Sequence, residues 1–238
     1  RLDYDNAKAY YEEGNNELDG ACSSFKKGNF YGRNFDFFYN DVPTFVTRVN
    51  KTDDHYASIS VSQHFQLSEN KLLANQYSTE TLDLIPNCTL DGINENGVYI
   101  NDNVVVIEEE GKTIETNPGK PKVHMLLIPR YVLDHATSAE QAVGMLKNDI
   151  SIYGDCAGKA YLHYMICDAS NTFIVEIFNN EIIASKKEGD AQIMTNFYHN
   201  LGYINEHGMG VERYKILKEN YEEGSTKEGM FNLMKRVQ

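Results

Sequence analysis

The chain has 238 residues, 41% of them hydrophobic, enough to bury the core of one large domain. Its 35 acidic residues against 22 basic ones give a formal charge of −13, which repels phosphate backbones and argues against nucleic acid as a partner. No apolar run reaches the length that spans a bilayer, and the four cysteines, Cys22, Cys88, Cys156 and Cys167, form no C-x-x-C pair and have no histidine at zinc-ligand spacing, so a structural zinc site is not expected.

In chain order, residues 1–21 are polar and acidic, with a helix-forming stretch at Ala7 to Glu13 and a Gly14-Asn15-Asn16 breaker, and read as a leader in front of a body spanning 22–238. Ser23 to Phe25 and Asn29 to Asp36 flank a turn signal and predict a hairpin. Thr44 to Asn50, Tyr56 to Ser62 and Val98 to Ile107 are rich in β-branched and aromatic residues and predict strands. The apolar stripe of His124 to His135 predicts a helix begun or kinked at Pro129, and Thr137 to Gln141 is a capping-box pattern opening a helix to about Asn148. Strands resume at Tyr161 to Cys167, Thr172 to Phe178 and Glu181 to Ser185, with turns at 168–171 and 179–180, and two helices are expected at Val211 to Tyr221 and Lys227 to Val237. Short-turned strands with helices grouped between them imply an α+β layering of antiparallel sheets covered by helices. Cys167 closes an apolar run and reads as a small buried hydrophobe; Asn50-Lys51-Thr52 and Asn87-Cys88-Thr89 fit a glycosylation sequon by chance. The first residue is Arg1, so an upstream signal peptide is compatible with the sequence and localisation stays open.

The chemistry centres on Cys22, preceded by Gly20-Ala21 and followed by Gly32-Arg33-Asn34-Phe35-Asp36. A cysteine released as a chain terminus supplies both a nucleophile and, in its α-amine of pKa roughly 7.7–8.0, a base suited to neutral pH. Arg33 is the nearest cation that would lower the thiol pKa, and Asp36 would hold the amine. Residues 33 and 36 point to opposite faces of a regular strand, so the strand is expected to end near Asn34 or to bulge. Taken singly, Cys22 is a buried thiol and Arg33 and Asp36 a surface ion pair; together, after a small-residue junction, they point to a site.

These residues, with Asp91-Gly92-Ile93-Asn94-Glu95-Asn96-Gly97, Asn103, Thr195-Asn196, Arg213, Leu162 to Asp168 and Ile174-Val175-Glu176, resemble the choloylglycine hydrolase and penicillin V acylase family of N-terminal nucleophile hydrolases. The resemblance implies a four-layer αββα sandwich and a cysteine amidohydrolase that cleaves a non-peptide N-acyl amide, such as a conjugated bile salt or penicillin V, without a cofactor or metal. It implies autocleavage before Cys22, a zymogen in which Ala21–Cys22 is intact, orientation of the nucleophile by Arg33 and Asp36, an oxyanion hole at Asn103, help from Asn196 and added positive charge from Arg213. Asn101 lies on the same strand face as Asn103 and competes with it. Asn94 and Gly97 also read as plain turn residues. The family continues past the late helix, so strands that line the pocket are expected beyond Gln238.

The partner expected is a small amide substrate, and a homo-oligomer is compatible with the sequence. The alternative is a non-catalytic binding protein on the same scaffold with the leader in the pocket. A papain-like peptidase needs a histidine base; His199 and His207 sit in polar, Gly/Asn-rich sequence and read as solvated, so single alanine replacements of them and of His163 are expected to leave the chemistry intact. The aromatic cluster Phe35, Phe37, Phe38 and Tyr39 reads either as acyl contact or as core.

Overall fold

The computed structural model describes residues 22–36, 43–63, 79–106, 114–155, 160–187, 189–200 and 210–238. The leader, Phe37, Phe38, Tyr39, Cys156 and His207 lie outside the described residues. Strands β1 (Ser23–Lys27) and β2 (Phe30–Asn34) form the expected hairpin about Gly28, whose φ of 52° suits its missing side chain. The second strand ends at Asn34, which frees the chain to redirect Asp36. Next come β3 (Thr44–Val49), β4 (Ser58–Gln63), a short helix α1 (Thr79–Leu84), β5 (Thr89–Asn94) and β6 (Tyr99–Val106). After them follow β7 (Ile114–Glu115), β8 (Lys122–His124), α2 (Ile128–His135), α3 (Ala139–Asn148) and β9 (Ser151–Gly154). The chain closes with β10 (Ala160–Cys167), β11 (Thr172–Phe178), β12 (Glu181–Lys186), β13 (Ala191–Met194), α4 (Val211–Glu219) and α5 (Lys227–Lys235).

Two antiparallel sheets lie face to face: a small one in the order β13-β1-β2 and a seven-stranded one in the order β12-β11-β10-β6-β5-β4-β3. Phe25 and Ile193 on the outer face of the small sheet pack on Leu217, Met230, Leu233 and Met234 of α4 and α5. Ile100, Tyr164, Ile166 and Val175 on the outer face of the large sheet pack on Ile128, Val132 and Leu133 of α2 and Ala142 and Leu146 of α3. The layers therefore run helix, sheet, sheet, helix, the expected α+β sandwich. Each buried aliphatic or aromatic side chain in these layers contributes about 1.5–3 kcal/mol of hydrophobic stabilisation. A third small sheet, β7-β9-β8, flanks the large one, with β8 and β9 parallel.

Local signals explain most element ends. Ser138 accepts the Gln141 N–H at 3.1 Å, and Gln141 reaches back to the Thr137 N–H at 2.6 Å. Asp168 accepts the Ala139, Ser170 and Asn171 N–H groups, so one carboxylate both shapes the β10–β11 turn and caps α3. Asn179 and Asn180 take positive φ in the β11–β12 turn, as a two-residue hairpin demands. The helix expected from His124 begins instead at Ile128: His124 ends β8 and its Nδ1 accepts the Leu126 N–H, and Pro129 sits in the first turn of α2.

The large sheet reverses the usual burial pattern at β4. Ser58, Ser60 and Gly92 face inward towards α2, where a Cβ on Gly92 would lie 2.7 Å from Leu133, while Ile59, Val46 and Ile93 are exposed on the opposite face. Small residues are needed where the helix comes this close. Asn94 fixes the same helix to the sheet: its amide donates to the Leu133 and Ala136 carbonyls and its oxygen accepts the Asn96 and Val98 N–H groups. Its role thus exceeds that of a turn residue. Asn94→Ala removes four hydrogen bonds, three of them buried, and should lower the unfolding free energy by about 2–3 kcal/mol in urea titration.

Candidate active site

β1 and β13 pair in register from Ser24↔Met194 to Lys27↔Ala191, which brings Cys22, just before β1, beside Asn196, just after β13. The Cys22 backbone N–H donates to Asn196 Oδ1 at 3.0 Å, and the Asn196 amide donates to the Val104 carbonyl at 2.7 Å. Arg213 completes the group: its Nη2 donates to Asn196 Oδ1 at 2.8 Å and its Nη1 to the Cys22 carbonyl at 2.5 Å and to Ser23 Oγ at 2.7 Å. Arg213 enters from the first turn of α4, which opens at Gly210 with φ of 81°; a Cβ there would sit 2.7 Å from Arg213 Nη2 and 2.9 Å from Thr195 Cβ, so only glycine fits.

β5 stops pairing with β6 at Asp91↔Asn101. Beyond that point β6 offers unclaimed backbone groups to the site. The Asp102 carbonyl accepts from Arg33 at 2.6 Å, the Val104 carbonyl accepts from Asn196, and the Val104 N–H faces the Cys22 thiol. An early strand end thus becomes a row of directed donors and acceptors.

Arg33, on β2, is held between two carboxylates, with Nη1 2.7 Å from Asp91 Oδ2 and Nη2 3.1 Å from Asp102 Oδ1. It meets Cys22 through its charge rather than through a hydrogen bond. Cys22 is 2% exposed, and burial pushes its thiol up; Arg33 pulls it down, Asp102 pushes it back, and the Val104 N–H and Arg213 lower it again, for a net rise. Arg33 thus lowers the thiol in the expected direction, but desolvation outweighs it. Burial likewise pushes the Asp102 carboxyl up to about 7, Arg33 pulling it down and Asp91 pushing it up.

The structure brings Cys22, Asn196, Arg213 and Arg33 together and places two candidates differently. Asp36 is half-buried after β2, and its charge acts on Arg213; the Cys22 nitrogen is held by Asn196 instead. The Asn103 side chain accepts from Ser24 Oγ at 3.2 Å and the Asn101 amide at 2.9 Å and donates to the Met194 carbonyl at 3.2 Å, so it ties the two sheets together rather than facing the thiol. Asn101 is committed likewise, to Ser24 Oγ and to Tyr31. Sequence reasoning missed Val104, whose backbone carries no side-chain signal, and Asp102, and it gave Asp91 no role beyond its place in the motif; the link of both acids to Arg33 depends on the stacking of the sheets.

The histidines also differ from expectation. His199 is not solvated: its Nε2 accepts the Thr195 N–H at 3.3 Å, Phe197 stacks on it at 4.2 Å, and burial drives its pKa down to about 3. His163 is fully buried, with Nε2 2.7 Å from the Thr195 carbonyl and Nδ1 3.4 Å from Glu176. Removing His199 takes the partner of the Thr195 N–H, and removing His163 leaves the Thr195 carbonyl with only the longer contact from Asn103 Nδ2 at 3.5 Å, so neutral alanine replacements are no longer expected. Cys88 and Cys167 are buried free thiols.

The stacked sheets with their outer helices have the N-terminal nucleophile hydrolase fold, as in penicillin V acylase from Agrobacterium tumefaciens, whose structure matches with a TM-score of 0.53 at 17% identity over 92% of this chain and 64% of that one. Two variants of conjugated bile acid hydrolase from Clostridium perfringens match at TM-scores of 0.43 and 0.45, with 17% and 18% identity, over 78% and 72% of this chain and 48% and 52% of theirs. The chain thus spans about half to just under two thirds of the length of these structures. Residues 24–237 match the acyl-coenzyme A:6-aminopenicillanic acid acyl-transferase family, and the chain belongs to that family. No curated protein sequence is significantly similar to it.

A carboxyl whose pKa rises on folding binds its proton more tightly in the native state, so its contribution to stability is present below about pH 4 and is lost as pH rises towards 7. Asp102→Asn removes that loss. Its unfolding free energy relative to the parent should improve by up to about 1.4 kcal/mol per pH unit between roughly pH 4 and 7, read by denaturant titration across that range.

Proposed function

We propose that this protein is a cysteine amidohydrolase that cleaves a non-peptide N-acyl amide through a thioester on Cys22, after autocleavage of the Ala21–Cys22 bond. The observation that carries this reading is the contact between the Cys22 nitrogen and Asn196 Oδ1, which Arg213 fixes in turn. That nitrogen becomes an α-amine when the preceding peptide bond is cut, already held beside its own thiol. The raised thiol pKa supports the same assignment, since a thiol kept protonated by burial needs a base within reach. Neither histidine offers one: His163 spends both ring nitrogens on Thr195 and Glu176, and His199 Nε2 is taken by Thr195.

In the proposed cycle the amine takes the thiol proton as sulfur attacks the acyl carbon. The Val104 N–H, which faces the thiol, is the donor assigned to the oxyanion, a contribution of about 2.7–4 kcal/mol for such a donor. The C–N bond then breaks, the leaving amine takes the proton, and water resolves the thioester to release the acid. In autocleavage the Ala21 carbonyl is the acyl group: the sulfur attacks it, the Ala21–Cys22 C–N bond breaks, the Cys22 nitrogen leaves as the free amine with the thiol proton passed to it through solvent, and water resolves the thioester. Until that bond is cut the nitrogen is a leaving group and not the base. Conjugated bile salts and penicillin V are the first substrates to try, given the structures matched. The family's description as an acyl-transferase favours a second outcome on the same thioester, in which an amine such as 6-aminopenicillanic acid resolves it in place of water.

Cys22→Ala should abolish both removal of the leader, read by intact mass, and hydrolysis, lowering kcat by about 10³-fold or more with an unchanged melting temperature. Turnover retained in that variant sinks the proposal. A parent chain that stays uncut and inactive supports the binding-protein alternative, with the leader in the pocket.

A further inference from the structure

Strand β13 ends at Met194, and the next residue, Thr195, sets the direction in which Asn196 leaves the sheet. Both main-chain polar groups of Thr195 are held by imidazoles. Its carbonyl, which can only accept, takes a hydrogen from His163 Nε2, and its N–H, which can only donate, gives one to His199 Nε2. The two rings therefore differ at Nε2, with a hydrogen on His163 and a lone pair on His199, and they lie 5.9 Å apart.

Glu176 on β11 is the group that serves both. It is fully buried, and its carboxylate accepts the His199 N–H at 2.6 Å and the Asn200 N–H at 2.7 Å, with His163 Nδ1 3.4 Å away. Burial raises its pKa, but the His163 contact and the two backbone N–H groups outweigh that and hold it below the ordinary carboxylate range. The His199 ring also meets Tyr214, the residue after Arg213, at 5.5 Å between centroids. One buried carboxylate thus sits behind both side chains that hydrogen-bond the Cys22 backbone, through Thr195 to Asn196 and through His199 and Tyr214 to the helix of Arg213.

We propose that Glu176, acting through His163 and His199, is a positioning residue that holds the Thr195–Asn196 peptide so that Asn196 Oδ1 meets the Cys22 nitrogen. This rests on the reading of Cys22 as an N-terminal nucleophile. It gives a function to His163 and Glu176, two buried polar side chains set among the apolar residues of β10 and β11. A misplacement of about 1 Å at a reacting group costs on the order of 100-fold in rate, so a distant hub has leverage on the chemistry.

The test uses the processed full chain. Glu176→Gln keeps the shape but turns one acceptor oxygen into a donor facing N–H groups. It should lower kcat about 10- to 100-fold with KM within about twofold. His199→Ala should do the same, and His199→Gln, whose amide oxygen can accept the Thr195 N–H, should recover most of the loss. Alkylation of Cys22 by iodoacetamide, located by peptide mass, is read alongside and responds to the Asn196–Cys22 contact whether or not an amide is hydrolysed. Altered alkylation in Glu176→Gln with an inactive parent chain sinks the hydrolase reading and leaves the positioning role standing. Unchanged kcat and alkylation in Glu176→Gln, or a His199→Gln no better than His199→Ala at equal thermal stability, overturns the positioning role. Where Glu176→Gln does not fold, the His199 pair alone decides.

Discussion

A single amide side chain joins three parts of the chain that are far apart in sequence. Asn196 accepts from the Cys22 nitrogen and from Arg213 and donates to Val104, and every other feature of the site follows from keeping those contacts in place. The β1–β13 register sets Cys22 opposite Asn196, the early end of β5 frees the Val104 carbonyl, and Gly210 lets α4 start close enough for Arg213 to reach in. A buried amide with both ends committed is also oriented. Rotating it would set N–H against N–H and leave the Val104 carbonyl facing another oxygen.

Charge around the thiol is balanced rather than positive. Arg33 carries two carboxylates, Arg213 is spent on a carbonyl, a hydroxyl and Asn196, and the sulfur lies where water does not reach. Such surroundings keep the thiol neutral, and in the proposed cycle they make the position of the nitrogen on the same residue the decisive variable. Arg33 then serves the site as a strut between the sheets, linking β2 to β5 and β6, as much as a source of charge.

How far the sequence could be read depended on where the information lay. The β1–β2 hairpin, the β10–β11–β12 meander and helices α3, α4 and α5 were legible because their signals are local: an Asn-Asn turn, a capping box, runs of β-branched residues. β13, four residues long, was not, because nothing in Ala191–Met194 marks a strand until β1 lies beside it. His199 was misplaced for a related reason: polar loop composition suggests solvent, whereas Phe197, Tyr214 and His163 enclose the ring.

The sequence by itself determined the residue types of the site and their order, from Cys22 through Arg33 to Asn196 and Arg213, along with an antiparallel α+β architecture, because side-chain chemistry and strand periodicity are properties of short segments. Only the tertiary structure decided which asparagine faces Cys22. Asn103 and Asn196 are equivalent as chemistry, but one lies between the sheets against Ser24 and the other at a strand end against Cys22. That choice, like the capture of Arg33 by Asp91 and Asp102, is made by the stacking of two sheets, and contact between distant strands leaves no trace in the local order of residues.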